Sequence, residues 1–136
     1  MKKEKHTIDY LFVGLGASNC LLILKLEKMG LLDEKKIIIL EQKQKNKKDK
    51  TYCFWATSDE VKNIIPKDFI DKEWESVILN GKKQDLHPLK YYHVSSLTLY
   101  EKALKVVNIH GAQIFSEKLE LRESAHEIKI DGKIFK

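Results

Sequence analysis

Gly14 and Gly16 stand two residues apart at the close of an apolar run, Ile8-Asp9-Tyr10-Leu11-Phe12-Val13, and Ala17, Ser18 and Asn19 follow at once. Glycines so placed let a chain bend sharply and approach a bound group that a side chain would hold away. An acid, Glu41, closes a second apolar run, Ile37-Ile38-Ile39-Leu40, 25 residues beyond Gly16. Together these residue types suit two tasks: main-chain N–H groups hold a phosphate, and a carboxylate accepts a hydrogen bond from a ribose hydroxyl. That is how a βαβ unit carries a dinucleotide on a helix N-terminus. In this use Gly14 supplies the bend and Gly16 the close approach. The free first-turn N–H groups of Ala17, Ser18 and Asn19 face the pyrophosphate. Asn19 stands where a third glycine is usual, adding bulk where helix meets strand while offering its amide to a phosphate oxygen. Glu41 would repel a 2′-phosphate, which favours FAD or NAD over NADP. The competing reading is a glycine turn that only joins a buried strand to a helix.

The elements that must position this set are legible around it. Val13 ends a strand, and Leu21, Leu22, Leu24, Leu26 and Met29 give the next segment an apolar helical face. Gly30 is placed to end that helix. The run at 37–40 is continuously apolar, as a parallel strand covered on both faces should be.

Composition bounds the rest. At 136 residues the chain is the size of one domain, and 43% hydrophobic and 33% charged residues are ordinary proportions for a soluble protein. The net charge of +5 gathers in lysine, five of them between Lys43 and Lys50. That run reads as a solvated loop, with attraction to anionic lipid as the functional alternative. Nucleic acid is not expected as a partner, because no basic surface interleaved with aromatics is present. Cys20 and Cys53 form no disulfide framework, and neither they nor the five histidines have metal-ligand spacing, so no metal is expected. No secretory leader and no spanning run of about 18 apolar residues is visible. The expectation is a cytoplasmic protein, with peripheral association at the inner face of a membrane as the variant.

Farther along, Thr51-Tyr52-Cys53-Phe54-Trp55 is a dense aromatic cluster, read either as core packing or as the wall of a flavin or substrate pocket. Ser58-Asp59-Glu60 reads as a helix cap and Pro66 as that helix's end. Asn80-Gly81 marks a hairpin with Trp74, Val77 and Leu79 on one arm and Leu86 on the other. A short strand at Tyr91–Val94 precedes a helix capped by Ser95 or Ser96 and closed by Gly111, with Leu97, Tyr100, Ala103, Leu104 and Val107 inward. A strand from about Ala112 runs on past Leu119 and Leu121, and Asp131-Gly132 turns a second hairpin. Its last arm, Lys133 to Lys136, is expected to be an unpaired edge, which suggests a fragment.

Three segments together resemble the amino-terminal part of the flavoprotein lycopene cyclases. They are Asp9–Gly16 with Glu41; Asp49-Lys50-Thr51-Tyr52-Cys53-Phe54-Trp55; and Trp74 followed by Tyr91–Ser96 and the helix bearing Tyr100 and Leu104. The resemblance implies a Rossmann-like α/β domain for FAD/NAD(P), with a βαβ start, a parallel sheet and inserted β-hairpins, incomplete at Lys136. On it, residues 1–136 form one amino-terminal FAD-binding portion in which 51–95 contribute a substrate-side insertion. The implied activity is an isomerase that closes the ends of lycopene, an apolar polyene, into β- or ε-rings without net redox change. Its FAD would be reduced, with NAD(P)H as a reductant, and would stabilise a cation formed by protonation. The family's catalytic acid lies beyond this chain, so the catalytic residue is unknown. Cofactor contacts fall to Gly14, Gly16, Ala17, Ser18, Asn19 and Glu41. The residues alone leave two alternatives open: another FAD-dependent oxidoreductase or monooxygenase, and a non-catalytic nucleotide-binding remnant.

Overall fold

The computed structural model describes residues 6–117, 120–121 and 126–136. The chain divides into two compact units: Met1–Lys45 with Lys102–Lys136, and Asn46–Glu101.

The first unit opens as the apolar runs require. Strand β1 (Tyr10–Val13) leads through the glycine turn into helix α1 (Ala17–Lys28), and β2 (Ile37–Leu40) returns parallel to β1, Tyr10 opposite Ile37 through Val13 opposite Leu40. All four β2 residues are buried, so no solvent face breaks up its hydrophobic sequence. The buried seam of α1 is Cys20 and Ile23, while Leu22 and Met29 are exposed. The buried seam therefore differs from the apolar face expected of Leu21, Leu22, Leu24, Leu26 and Met29, because the sheet accepts only one narrow stripe of the helix. The helix ends in two 3.0 Å-class bonds, Gly30 N–H to the Glu27 carbonyl at 2.9 Å and Leu31 N–H to that of Leu26 at 3.0 Å. This is the Schellman closure that Gly30 foretold.

A third strand, β8 (Gln113–Phe115), adds parallel to β2 and gives the order β1-β2-β8. Among the described residues the parallel sheet holds these three strands, and this corrects the expected fold class. The molecule is a small α/β fold with one short parallel sheet and several small antiparallel ones, rather than a Rossmann-like domain built on a parallel sheet. The physical reason is the strand pairing beyond β2: two-residue turns at Asn80-Gly81 and Asp131-Gly132 fold near neighbours antiparallel, and Thr51–Ala56 takes a distant antiparallel partner in Lys90–Ser95.

The rest of this unit shows it. Strand β9 (Glu120–Leu121) pairs with β10 (Ile128–Ile130), which turns at Asp131-Gly132 into β11 (Lys133–Phe135). Leu119, expected in a strand, lies outside the described residues. The last arm is not the bare edge expected: Ile8 N–H donates to the Lys136 carbonyl and Lys136 N–H to that of His6, both at 2.9 Å. Ile38, Leu40, Ile130 and Phe135 form the core between them.

The second unit is antiparallel. Strand β3 (Thr51–Ala56) pairs with β7 (Lys90–Ser95), which pairs on its other side with β4 (Ile70–Trp74). Ala56, Tyr92 and Val61 pack beneath this sheet, Val61 coming from helix α2 (Ser58–Ile64). The cap of α2 is Thr57, one residue before the expected Ser58. Its hydroxyl accepts from the Glu60 N–H, and the Glu60 carboxylate accepts from the Thr57 N–H in return, a closed capping box. The Thr57 N–H, followed by its hydroxyl, holds the Glu60 carboxyl below its ordinary range. The hairpin at Asn80-Gly81 forms from β5 (Ser76–Leu79) and β6 (Lys82–Asp85). Trp74, assigned to it from sequence, belongs instead to β4 opposite Tyr91.

Helix α3 (Ser96–Ile109) starts in this unit and ends in the other. The Ser95 hydroxyl accepts from the Thr98 N–H, and Leu99, Tyr100, Ala103 and Val107 are buried. Leu99 takes the place expected of Leu97 and Leu104, which are only half-buried. The Tyr100 hydroxyl donates to Asp49 at 2.7 Å and lies 2.8 Å from that of Tyr52. Among the described residues no helix is long and apolar enough to cross a membrane.

Candidate cofactor site

The glycine turn joins the carboxyl end of β1 to the amino end of α1, and it is held from two sides. Gly14 has φ +82°, a conformation side chains avoid, and its N–H donates to the Leu40 carbonyl at 2.7 Å. On one side Glu41 Oε2 accepts the Leu15 N–H at 2.6 Å. On the other, Asn19 Nδ2 donates to the Gly14 carbonyl at 2.7 Å and the Val13 carbonyl at 3.1 Å. Asn19 therefore does not merely occupy the position of a missing glycine. Its amide staples the two residues that make the bend, so the turn is fixed by a side chain where a third glycine would fix nothing.

The space around the turn suits a close ligand. A Cβ built on Gly14 or Gly16 would meet nothing within 4 Å, so both glycines border open volume. Gly16 caps α1 without any side-chain hydrogen bond, and no acid lies in the first helical turn. Among the described residues the N–H groups of Ala17, Ser18 and Asn19 have no acceptor, the condition under which a helix start binds an anion. Ser18 is exposed beside them.

A cleft of about 440 Å³ lies against this turn, lined by Val13, Gly14, Leu40, Glu41, Gln42, Lys43 and Glu117. Val13 and Leu40 end β1 and β2, and Glu117 follows the end of β8, so the cleft sits outside the carboxyl ends of all three parallel strands. That is where open α/β sheets take ligands. Glu41 reaches it partly spent: Oε2 holds the Leu15 amide, Oε1 accepts the Lys43 N–H at 3.0 Å, and Lys45 pairs with it at 3.9 Å. A carboxylate offers about four acceptor sites, which leaves capacity for a ribose hydroxyl.

Of the residues named from the sequence, Gly14 and Glu41 line this cleft and Asn19 bonds to Gly14, while Gly16, Ala17 and Ser18 follow in the turn and are not among its lining; Lys43 and Glu117 are added to it. Glu117 was missed because only the pairing of β8 with β2 carries it to the cleft. A strand beginning near Ala112 was legible, but its partner was not. Cys20 is buried beside the turn: burial pushes its thiol up to about 12, Lys45 opposes the shift, and Glu41 adds to it. Among the described residues no cluster of His, Cys, Asp and Glu could hold a metal ion.

No family model and no curated protein matches the chain. Two solved structures are similar in fold. PqsL of P. aeruginosa, in complex with 2-aminobenzoylacetate, matches over 96% of this chain and 41% of its own, with 12% identity and a TM-score of 0.60. QhpG, a peptidyl tryptophan dihydroxylase essential for tryptophylquinone cofactor biogenesis, matches over 94% of this chain and 30% of its own, with 10% identity and a TM-score of 0.51. The chain spans less than half the length of either. At such identity the likeness is one of fold.

Proposed function

We propose that this chain is the FAD-binding portion of an oxidoreductase of the hydroxylating kind. The observation that carries the reading is the stapled glycine turn: unpartnered N–H groups at the start of α1, open space at Gly14 and Gly16, and a carboxylate at the end of β2. These residues fit the pyrophosphate and adenosine half of FAD. Ala17, Ser18 and Asn19 present N–H groups to phosphate, and Glu41 keeps acceptor capacity for ribose. Bound there, the flavin would supply the redox chemistry, while the protein binds, orients and screens it. The fold likeness to PqsL and to a dihydroxylase supports this reading over the ring closure of lycopene that the family resemblance implied.

Titration of the purified chain with FAD, followed by flavin fluorescence, tests it. Binding at micromolar concentration or tighter is expected, and Gly16→Val should abolish it while leaving thermal stability within about 0.5 kcal/mol, since the added carbons enter open space. Wild-type protein that ignores FAD would sink the proposal. Adding NAD(P)H to the loaded protein separates the chemistries. Oxygen uptake supports hydroxylation, whereas anaerobic conversion of lycopene to ring-closed carotenoids would restore cyclisation.

A further inference from the structure

The sheet β3-β7-β4 has two unlike faces. One is closed, with Phe54, Ala56 and Tyr92 packed against Val61 of α2. On the other, Trp55, Tyr91 and Trp74 stand directly opposite one another on the three strands. Their ring centroids are 4.5 and 5.7 Å apart, tilted by 33° and 35°, a shelf about 10 Å across at two strand spacings. Both tryptophans of the chain are in it, and they remain 51% and 40% exposed while neighbouring Tyr92 is 2% exposed. Exposed aromatic area gathered in one place marks a contact surface.

The neighbouring row on this face decides what that contact is. Two residues along each strand, about 7 Å away, stand Cys53, His93 and Lys72, directly paired across the sheet, with Lys72 the exposed member of the row. Lys72 is exposed and forms no ion pair among the described residues. Asp71, the residue before it, is already met by Lys48 at 3.3 Å. Glu73 and Glu75 are bound to Lys90, whose position in the strand places it on the closed face. The polar end of the open face is also the end at which Lys48 and Lys50 enter β3. The face is thus aromatic at one end and cationic at the other. Its apolar strip is a single row deep, too narrow for an amphipathic helix, which needs an apolar stripe continued over several turns.

We infer that this face is a binding site for a small aromatic carboxylate, whose ring stacks on the Trp55–Tyr91–Trp74 shelf and whose anionic arm meets Lys72. Offset and edge contacts to the indoles hold the ring, and the ammonium fixes its direction. The site lies wholly within the second unit and stands apart from the cofactor reading.

The test uses indole-3-acetate and its neutral analogue indole-3-acetamide, added to the full chain without FAD and followed by NMR at the two tryptophan indole N–H signals. The acid should shift both signals saturably and bind about tenfold tighter than the amide. Lys72→Gln, an exposed change, should erase that preference, and Trp74→Ala should weaken the acid about tenfold. Absence of a saturable shift, equal binding of acid and amide, or a preference that survives Lys72→Gln would each overturn the proposal. So would phosphatidylglycerol vesicles that move both signals while the acid does not, the result expected of a lipid-facing surface.

Discussion

The two units put their chemistry in different parts of the chain. In the first, the central parallel strand β2 is buried on both faces, and what it leaves for a ligand is the carboxyl end of the sheet: main-chain N–H groups, two glycines and a carboxylate. In the second, antiparallel strands bury one face only, and the open face offers side chains, two indoles and a lysine. A doubly covered strand such as β2 is open to a ligand at its end, whereas a singly covered sheet is open across its surface. Recognition through backbone is unforgiving of one wrong residue. Recognition through side chains degrades contact by contact.

Variants in each unit can break or sharpen this contrast. The largest effect belongs to Ile39→Ala. Its side chain is fully buried at the centre of β2, and the loss should be about 2–5 kcal/mol in denaturant unfolding. A cost below 1 kcal/mol would mean that the strand is not closed on both sides. Glu41→Ala should follow, weakening both stability and FAD affinity by about 1–3 kcal/mol, because the Leu15 and Lys43 amides lose a charged acceptor. If affinity fell with stability untouched, Glu41 would serve the ribose alone.

Asn19→Gly is the sharper comparison, since it restores the usual third glycine. The staple predicts a loss of about 1 kcal/mol in both stability and FAD affinity, read by thermal melts and by titration. Tighter FAD binding in that variant would refute the role given to Asn19. Trp55→Ala on the open face should cost about 1 kcal/mol or less in unfolding, as a half-exposed ring leaves little cavity.

The smallest effect concerns acid. The Glu60 carboxyl titrates below its ordinary value in the folded protein, so its support of α2 is complete above the ordinary carboxylate range and fades as pH falls through the lowered value. Amide exchange at Glu60 should speed up over that window in wild type, and Glu60→Gln should flatten the dependence.

The sequence by itself determined the site's local parts. Spacing and residue type placed Gly14, Gly16, Asn19 and Glu41 at the ends of two strands and a helix, because turns, caps and buried strands follow from near neighbours. The same local rules located the hairpins at Asn80-Gly81 and Asp131-Gly132. Tertiary structure decided what those rules do not reach. It set β8 beside β2, covered β11 with residues 6–8, carried Glu117 to the cleft, and set Trp74 beside Tyr91 instead of in the next hairpin. It also turned Asn19 from a defect in a glycine motif into the clamp of that turn. The Asn19 clamp is made with residues five and six positions away; the other outcomes depend on which distant strand pairs with which, and on which face then remains uncovered. Such choices are settled by burial summed over the whole chain, not by the residues on either side.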